Sequence, residues 1–174
     1  KNSTRTWPSY YPGYVKYGGF ADYWGNRRFS GRLTATIVMG VAGALKILSK
    51  YLNIKIWSYT KSIGNITCDI ENMSFDDLSN KRYLNEVRCP DFTAAMKMKE
   101  DILLARKNGD SLGGIIECTT NRIPPGIGEP IFKSIESEIS KGLFSIPAVK
   151  GVEFVSVFMG SNLKWTQNTD SFYI

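Results

Sequence analysis

Residues 27–52 read RRFSGRLTATIVMGVAGALKILSKYL, a loop rich in arginine that runs into a long apolar segment. From Leu33 to Leu52 the apolar residues recur at helical spacing, which predicts a helix with Ser30 as its N-cap. A helix N-terminus presents unpaired backbone N–H groups and the positive end of the helix dipole. Arginine adds paired donors that match phosphate and carboxylate oxygens. The stretch predicts an anion-binding site or, with equal weight, a solvated arginine face beside a capping serine.

The composition is that of a globular protein with a basic bias. The chain has 174 residues, 43% of them hydrophobic and 22% charged, which predicts a single domain over residues 1–174. The net charge of +6 favours a negatively charged partner. A nucleic acid is the weaker choice, because the basic residues are scattered and no RNA-recognition pattern occurs. We therefore expect a small anionic ligand and no nucleic acid.

Neither a metal site nor a membrane span is predicted. The chain has no histidine, and its three cysteines lack metal-ligand spacing. Reduced, buried thiols in a cytoplasmic protein are the expectation for Cys68, Cys89 and Cys118. Lys46, Ser49 and Lys50 interrupt the apolar segment, which favours a buried helix over a bilayer span.

Strand and helix patterns alternate along the rest of the chain, which is typical of a layered α/β or α+β domain. Two further helices are predicted, one over residues 91–107 with Asp91 as its cap and one over residues 130–143. Three strands are predicted, over residues 54–59, 112–120 and 149–159. Residues 1–30 are predicted as loop and residues 65–89 as an irregular excursion. The pattern does not decide between parallel and antiparallel pairing.

Four blocks of the chain, in order, resemble one family closely. The first comprises residues 14–20 (YVKYGGF) and 28–35 (RFSGRLTA), and the second is 109–114 (GDSLGG). The third is 125–132 (PGIGEPIF), and the fourth is 145–154 (SIPAVKGVEF). Together they identify the chain as similar to chorismate synthase, the last enzyme of the shikimate pathway.

The resemblance implies an α+β fold, a layered β-α-β sandwich with helices packed between antiparallel sheets, in a homotetramer. It implies the anti-1,4-elimination of phosphate from 5-enolpyruvylshikimate 3-phosphate, a small anionic phosphate ester, to give chorismate for aromatic amino acid biosynthesis. The family requires reduced FMN for this reaction. The resemblance covers the middle of a family chain about twice as long and lacks both ends, so we expect the segment alone to be inactive.

The resemblance also implies roles for particular residues. The FMN contacts are at Arg28, Phe29, Ser30, Pro147 and Ala148. Arg32 lies in the substrate site.

Two of the blocks are better interpreted as turns. Residues 109–114 and 125–130 contain glycines that allow tight backbone paths, and Asp110 and Glu129 are expected to satisfy backbone donors there.

The chain departs from the family pattern beside the presumed site. Pro8 stands where the family has a functional histidine, and Tyr10 stands in place of an aspartate. Asn26 and Arg27 replace glycines. Since proline cannot transfer a proton through its side chain, the catalytic residues are unknown. The alternative hypothesis is a catalytically inactive relative that keeps the fold and its flavin or anion binding.

Overall fold

The computed structural model of the protein describes residues 10–20, 33–71 and 73–154. The helices over these residues are α1 (Tyr10–Lys16), α2 (Leu33–Leu52), α3 (Phe75–Lys81), α4 (Phe92–Lys107) and α5 (Ile135–Phe144). The strands are β1 (Ile56–Ile63), β2 (Ile66–Thr67) and β3 (Gly114–Thr120). The chain divides into a terminal unit, Lys1–Ala42 with Pro124–Ile174, and a central unit, Gly43–Ile123. That residues 1–174 form one domain stays a prediction.

Helix α1 corrects the prediction of loop for residues 1–30. Pro12 and Gly13 suggested a break, but proline is tolerated in the first turn of a helix, where its missing N–H has no intrahelical acceptor. The helix ends in a pair of capping bonds: Gly19 N donates to Tyr14 O at 2.9 Å, and Gly18 N donates to Val15 O at 3.3 Å.

Helix α2 has the predicted bounds, but none of its 20 residues is buried, so the prediction of a buried helix is wrong in this structure. Asn53 ends it in the left-handed region, with φ of 55°. By length and composition α2 is apolar enough to cross a membrane, despite Lys46 and Lys50. The core helices of soluble proteins meet the same criterion, but they are mostly buried, and α2 is not. That the chain has no membrane partner stays a prediction.

The sheet of the central unit has the strand order β2-β1-β3, with both pairings antiparallel. These pairings settle the strand direction that the sequence left open. A register shift between Thr60 and Ser62 leaves Lys61 as the extra residue of a bulge against β3. The α+β class predicted from the sequence is confirmed.

The core of the central unit is one buried cluster to which β1, α3 and α4 all contribute side chains. Trp57 and Tyr59 alternate along β1 toward this core, and Met98 of α4 is fully buried in the same cluster. The small side chains of Ala94 and Ala95 on α4 are buried in the same cluster. They leave room for the aromatic rings of β1, because a close-packed interior alternates large and small residues.

The segment 65–89, predicted as irregular, contains β2 and α3. Ser74 caps α3, since its hydroxyl oxygen accepts from Asp77 N at 3.1 Å and its hydroxyl donates to Asp77 Oδ2 at 2.7 Å. The sequence signal for this cap was the spacing Ser-x-x-Asp before an apolar residue. Because α3 is only seven residues long, periodicity alone could not reveal it.

The remaining helices largely match the sequence. Asp91 caps α4 as predicted, with its Oδ1 accepting from Thr93 N at 2.8 Å and Ala94 N at 3.1 Å. Helix α5 begins at Ile135 rather than 130, because Ser134 supplies its N-cap.

One predicted strand and one predicted buried thiol differ from the structure. Over residues 149–154 the chain forms no strand, and residues 155–159 lie outside the described part. Cys68 and Cys89 are buried and free, as expected. Cys118 is exposed, so the prediction of burial is wrong there. It lies on β3, which pairs only with β1 among the described strands.

Candidate functional site

Only part of the predicted site lies within the described residues. Pro147 and Ala148 are described, in the turn that follows α5. The other predicted flavin and substrate positions, and the position of the missing histidine, lie in residues 1–9 and 21–32, outside the described part. These are Arg28, Phe29, Ser30, Arg32 and Pro8. Their roles therefore stay predictions.

Pro147 and Ala148 occupy the two central positions of a β-turn. The turn is closed by Val149 N, which donates to Ile146 O at 3.3 Å. Ala148 has φ of 74°, while the ring of Pro147 holds its own φ negative. A negative φ followed by a positive φ is the pattern of a type II turn, whose second central residue is usually glycine.

Alanine at this position strains the backbone. The left-handed region costs an L-residue roughly 1–2 kcal/mol, and such strain concentrates at functional sites. Ala148 is exposed, and its N–H has no hydrogen-bond acceptor among the described residues. The turn therefore presents a backbone donor that a ligand oxygen or ring nitrogen can accept.

The block 109–114 forms the end of α4 and the entry to β3. Gly109, with φ of 72°, allows Asp110 N to donate to Ala105 O at 2.9 Å. The carboxylate of Asp110 accepts from Ser111 N at 2.8 Å, which confirms the predicted turn role of this residue. Gly114 lies so close to β1 that a Cβ there would be 2.6 Å from Ser62 O.

The block 125–132 leads to a second strained turn. Glu129 and Lys133 form an isolated bridge, with Glu129 N donating to Lys133 O at 2.8 Å. The bond at Glu129 is thus made by its backbone rather than its carboxylate. Inside the bridge, Phe132 N donates to Pro130 O at 3.1 Å around Ile131, whose φ is 74°. This is the rare γ-turn with positive φ.

A titratable group that the sequence did not indicate joins β1 to β3 in the central unit. The hydroxyl of Tyr59 donates to Glu117 Oε1 at 2.6 Å, and Lys61 Nζ forms an ion pair with Glu117 Oε2. The bulge at Lys61 brings both β1 side chains to one carboxylate. Finding this group requires the register of two strands, because its members are 58 and 56 residues apart in the chain.

The pKa values of Tyr59 and Glu117 are shifted in opposite directions. Burial raises the pKa of Tyr59, and the adjacent Glu117 raises it further, so the phenol stays protonated. Burial alone would raise the pKa of Glu117, but the hydrogen bonds from Lys61 and Tyr59 outweigh it and the pKa is lowered. In the neighbouring core, burial raises the pKa of the Cys89 thiol to about 12. The group is thus a neutral donor and a cation that share one carboxylate.

Comparison with known proteins gives one consistent result. The family model described as chorismate synthase matches residues 1–174. Chorismate synthase of Korarchaeum cryptofilum is 46% identical over 156 residues, which are 90% of this chain and 42% of that protein. Chorismate synthase of Pyrococcus abyssi is 39% identical over 174 residues, which are 100% of this chain and 47% of that protein. The chain therefore spans about half the length of the relatives it matches.

The fold gives the same result as the sequence. A crystal structure of chorismate synthase superposes with a TM-score of 0.81 at 29% sequence identity. The superposition covers 92% of this chain and 51% of that chain. The described elements thus correspond to about half of a known fold.

Proposed function

Because the chain belongs to the chorismate synthase family, we propose that it serves the anti-1,4-elimination of phosphate from 5-enolpyruvylshikimate 3-phosphate, which gives chorismate. The observation that carries this proposal is the family match over all of residues 1–174. Since the chain spans about half of its relatives, the activity is proposed for a full-length protein that contains it. The segment alone is inactive under this proposal.

The proposed cofactor is reduced FMN, and the turn at Pro147 and Ala148 fits it. Ala148 is exposed, and its N–H is a donor held in place by a strained turn, which suits a flavin carbonyl or ring nitrogen. Arg28, Phe29 and Ser30 are the other residues proposed to hold the flavin. When bound, reduced FMN supplies the electron density that helps phosphate leave.

The chain's own contribution to the reaction is anion binding and orientation. Arg32 is proposed to hold the anionic substrate, because a guanidinium fork matches phosphate and carboxylate oxygens in pairs. The net charge of +6 favours the approach of such a substrate. Positioned donors that meet the developing charge of a leaving phosphate stabilise the transition state more than they stabilise the bound substrate.

At the position where the family has its functional histidine, this segment has no group that can transfer a proton. Pro8 has no titratable group, and the hydroxyl of a tyrosine in water has a pKa of about 10, far from the ideal for acid catalysis near neutral pH. This observation, together with Arg27 in place of a glycine, favours the second candidate function. That candidate is a relative without catalytic activity that binds flavin or anions.

Titration of FMN with the full-length protein, with and without substrate, tests the proposal through the flavin absorbance. We expect substrate to tighten flavin binding, and Arg32→Gln to weaken substrate binding at least about tenfold, since it removes a charged hydrogen bond. Arg106→Gln, an exposed arginine at the end of α4, is the matched control and should leave both affinities unchanged. If the full-length protein bound neither ligand, the proposal would be wrong.

We also propose that the full-length protein is a cytoplasmic homotetramer in aromatic amino acid biosynthesis, with neither nucleic acid nor membrane as a partner. Light scattering of the purified full-length protein measures its mass directly. A mass of one or two subunits at micromolar concentration would contradict the tetramer.

A further inference from the structure

Arg82, Tyr83 and Arg88 form a cluster after α3 in the central unit, which we call the guanidinium clamp. The Cζ atom of Arg82 lies 4.6 Å from the centroid of the Tyr83 ring, and that of Arg88 lies 5.1 Å from the same centroid. Both distances are within the range of cation–π contact. One exposed aromatic ring therefore brings two guanidinium groups together, with their Cζ atoms at most about 10 Å apart.

The two arginines are held in different ways. Arg82 is fixed by its side chain, because Nη1 donates to Ser58 O at 2.7 Å and Nε donates to Ser79 O at 3.1 Å. Arg88 is fixed by its backbone, because its carbonyl accepts from Thr60 N at 3.1 Å. Arg88 also has φ of 59°, a left-handed conformation that is unfavourable for a residue with a Cβ. The fold thus keeps a strained residue where its side chain reaches Tyr83.

Neither guanidinium has an anionic partner within the described part of the chain. The ion pairs found there join Lys61 to Glu117, Lys81 to Asp77, Lys99 to Glu86 and Lys141 to Glu138. Glu86 lies between the two arginines in sequence, yet its carboxylate is paired with Lys99 at 3.1 Å. Two like charges at one ring repel each other, and an anion that accepts hydrogen bonds from both would offset that cost.

We propose that the guanidinium clamp is a binding site for a small phosphate-containing anion. The free side of Arg82, at Nη2, and the whole fork of Arg88 supply the donors. A phosphate group has three acceptor oxygens and serves two forks at once, whereas the two oxygens of a carboxylate are taken up by one fork. The exposed ring of Tyr83 leaves the site open to solvent. The clamp is separate in sequence from the residues proposed to bind flavin and substrate.

Calorimetric titration of the full-length protein with inorganic phosphate, and in a second arm with glycerol 3-phosphate, tests the proposal at constant ionic strength. Acetate is the control anion. Arg88→Gln removes one fork and should lower phosphate affinity about tenfold or more, since hydrogen bonds to charged groups are strong. Arg88→Lys keeps the charge without the fork and should give an intermediate loss. Arg106→Gln, on an exposed arginine of α4 outside the clamp, should change nothing.

Each variant is checked for folding by its thermal midpoint and for flavin affinity by absorbance. Loss of phosphate binding in Arg88→Gln, with flavin affinity unchanged, supports the clamp even if the proposed enzyme function fails. Stronger binding of one arm identifies free phosphate or a phosphate ester as the ligand. The proposal is overturned if Arg88→Gln binds phosphate like the parent protein, or if acetate binds equally well. It is also overturned if, in a further titration, a single-stranded oligonucleotide binds while phosphate and glycerol 3-phosphate do not.

Discussion

Replacement of Met98 by alanine tests whether α4 and β1 share one core. The side chain of Met98 is fully buried, with no exposed area, in the cluster that contains Trp57 and Tyr59. The change removes three heavy atoms; at about 0.8 kcal/mol per buried methylene the transfer loss is roughly 2.4 kcal/mol. An incompletely collapsed cavity adds to this, so we expect a loss of about 3 kcal/mol in the free energy of unfolding.

Met96 provides the matched control, because it lies on the same helix with 49% of its surface exposed. Met96→Ala should change the free energy of unfolding by less than about 0.5 kcal/mol, and Met98→Leu, which conserves volume, by less than about 1.5 kcal/mol. The assay is urea unfolding followed by circular dichroism, with comparison of midpoints at constant slope. Equal losses for Met96→Ala and Met98→Ala would refute the assignment of the core.

Three other changes test local features. Glu117→Gln should destabilise the protein at neutral pH. Because the folded pKa of Glu117 is lowered, the stability that Glu117 contributes is present above its unfolded pKa of about 4.3 and disappears as the pH falls through the folded pKa. The unfolding curves of the two proteins should therefore converge in acid. Ala148→Gly should stabilise the protein by about 0.5 kcal/mol, because relief of backbone strain exceeds the added entropy of the unfolded chain. The control Ala44→Gly, inside α2, should destabilise the protein by about 1 kcal/mol. Thermal midpoints that move in the same direction for both variants would contradict this. Asp91→Ala should cost about 1 kcal/mol in urea unfolding through loss of the α4 cap, and Asp91→Asn should restore most of it.

Local signals in the sequence predicted helices α2, α4 and α5 but not α1 and α3. Helix α2 begins and ends where its apolar spacing does, and Asp91 caps α4 because a short acceptor side chain before an apolar run is a reliable start signal. Helix α1 was missed because Pro12 and Gly13 suggest a loop, and tolerance of proline in a first turn depends on where the helix begins.

Features that join distant parts of the chain could not be predicted. The carboxylate of Glu117 meets Tyr59 and Lys61 only because of the register of β1 with β3 and the bulge between them. No local pattern contains that register. The strained turn at Ala148 is similar, because the sequence Pro-Ala does not demand a positive φ. Family resemblance supplied the predicted site residues, which local patterns could not.

Formation of chorismate by the full-length protein tests the central claim most directly. The purified protein is mixed with reduced FMN and 5-enolpyruvylshikimate 3-phosphate without oxygen, and chorismate and released phosphate are measured together. We predict equal amounts of both products and a loss of at least about 100-fold in kcat/KM for Arg32→Gln, as expected for a donor to developing charge. Binding of flavin and substrate with no chorismate formed would contradict the proposed activity and support the inactive relative.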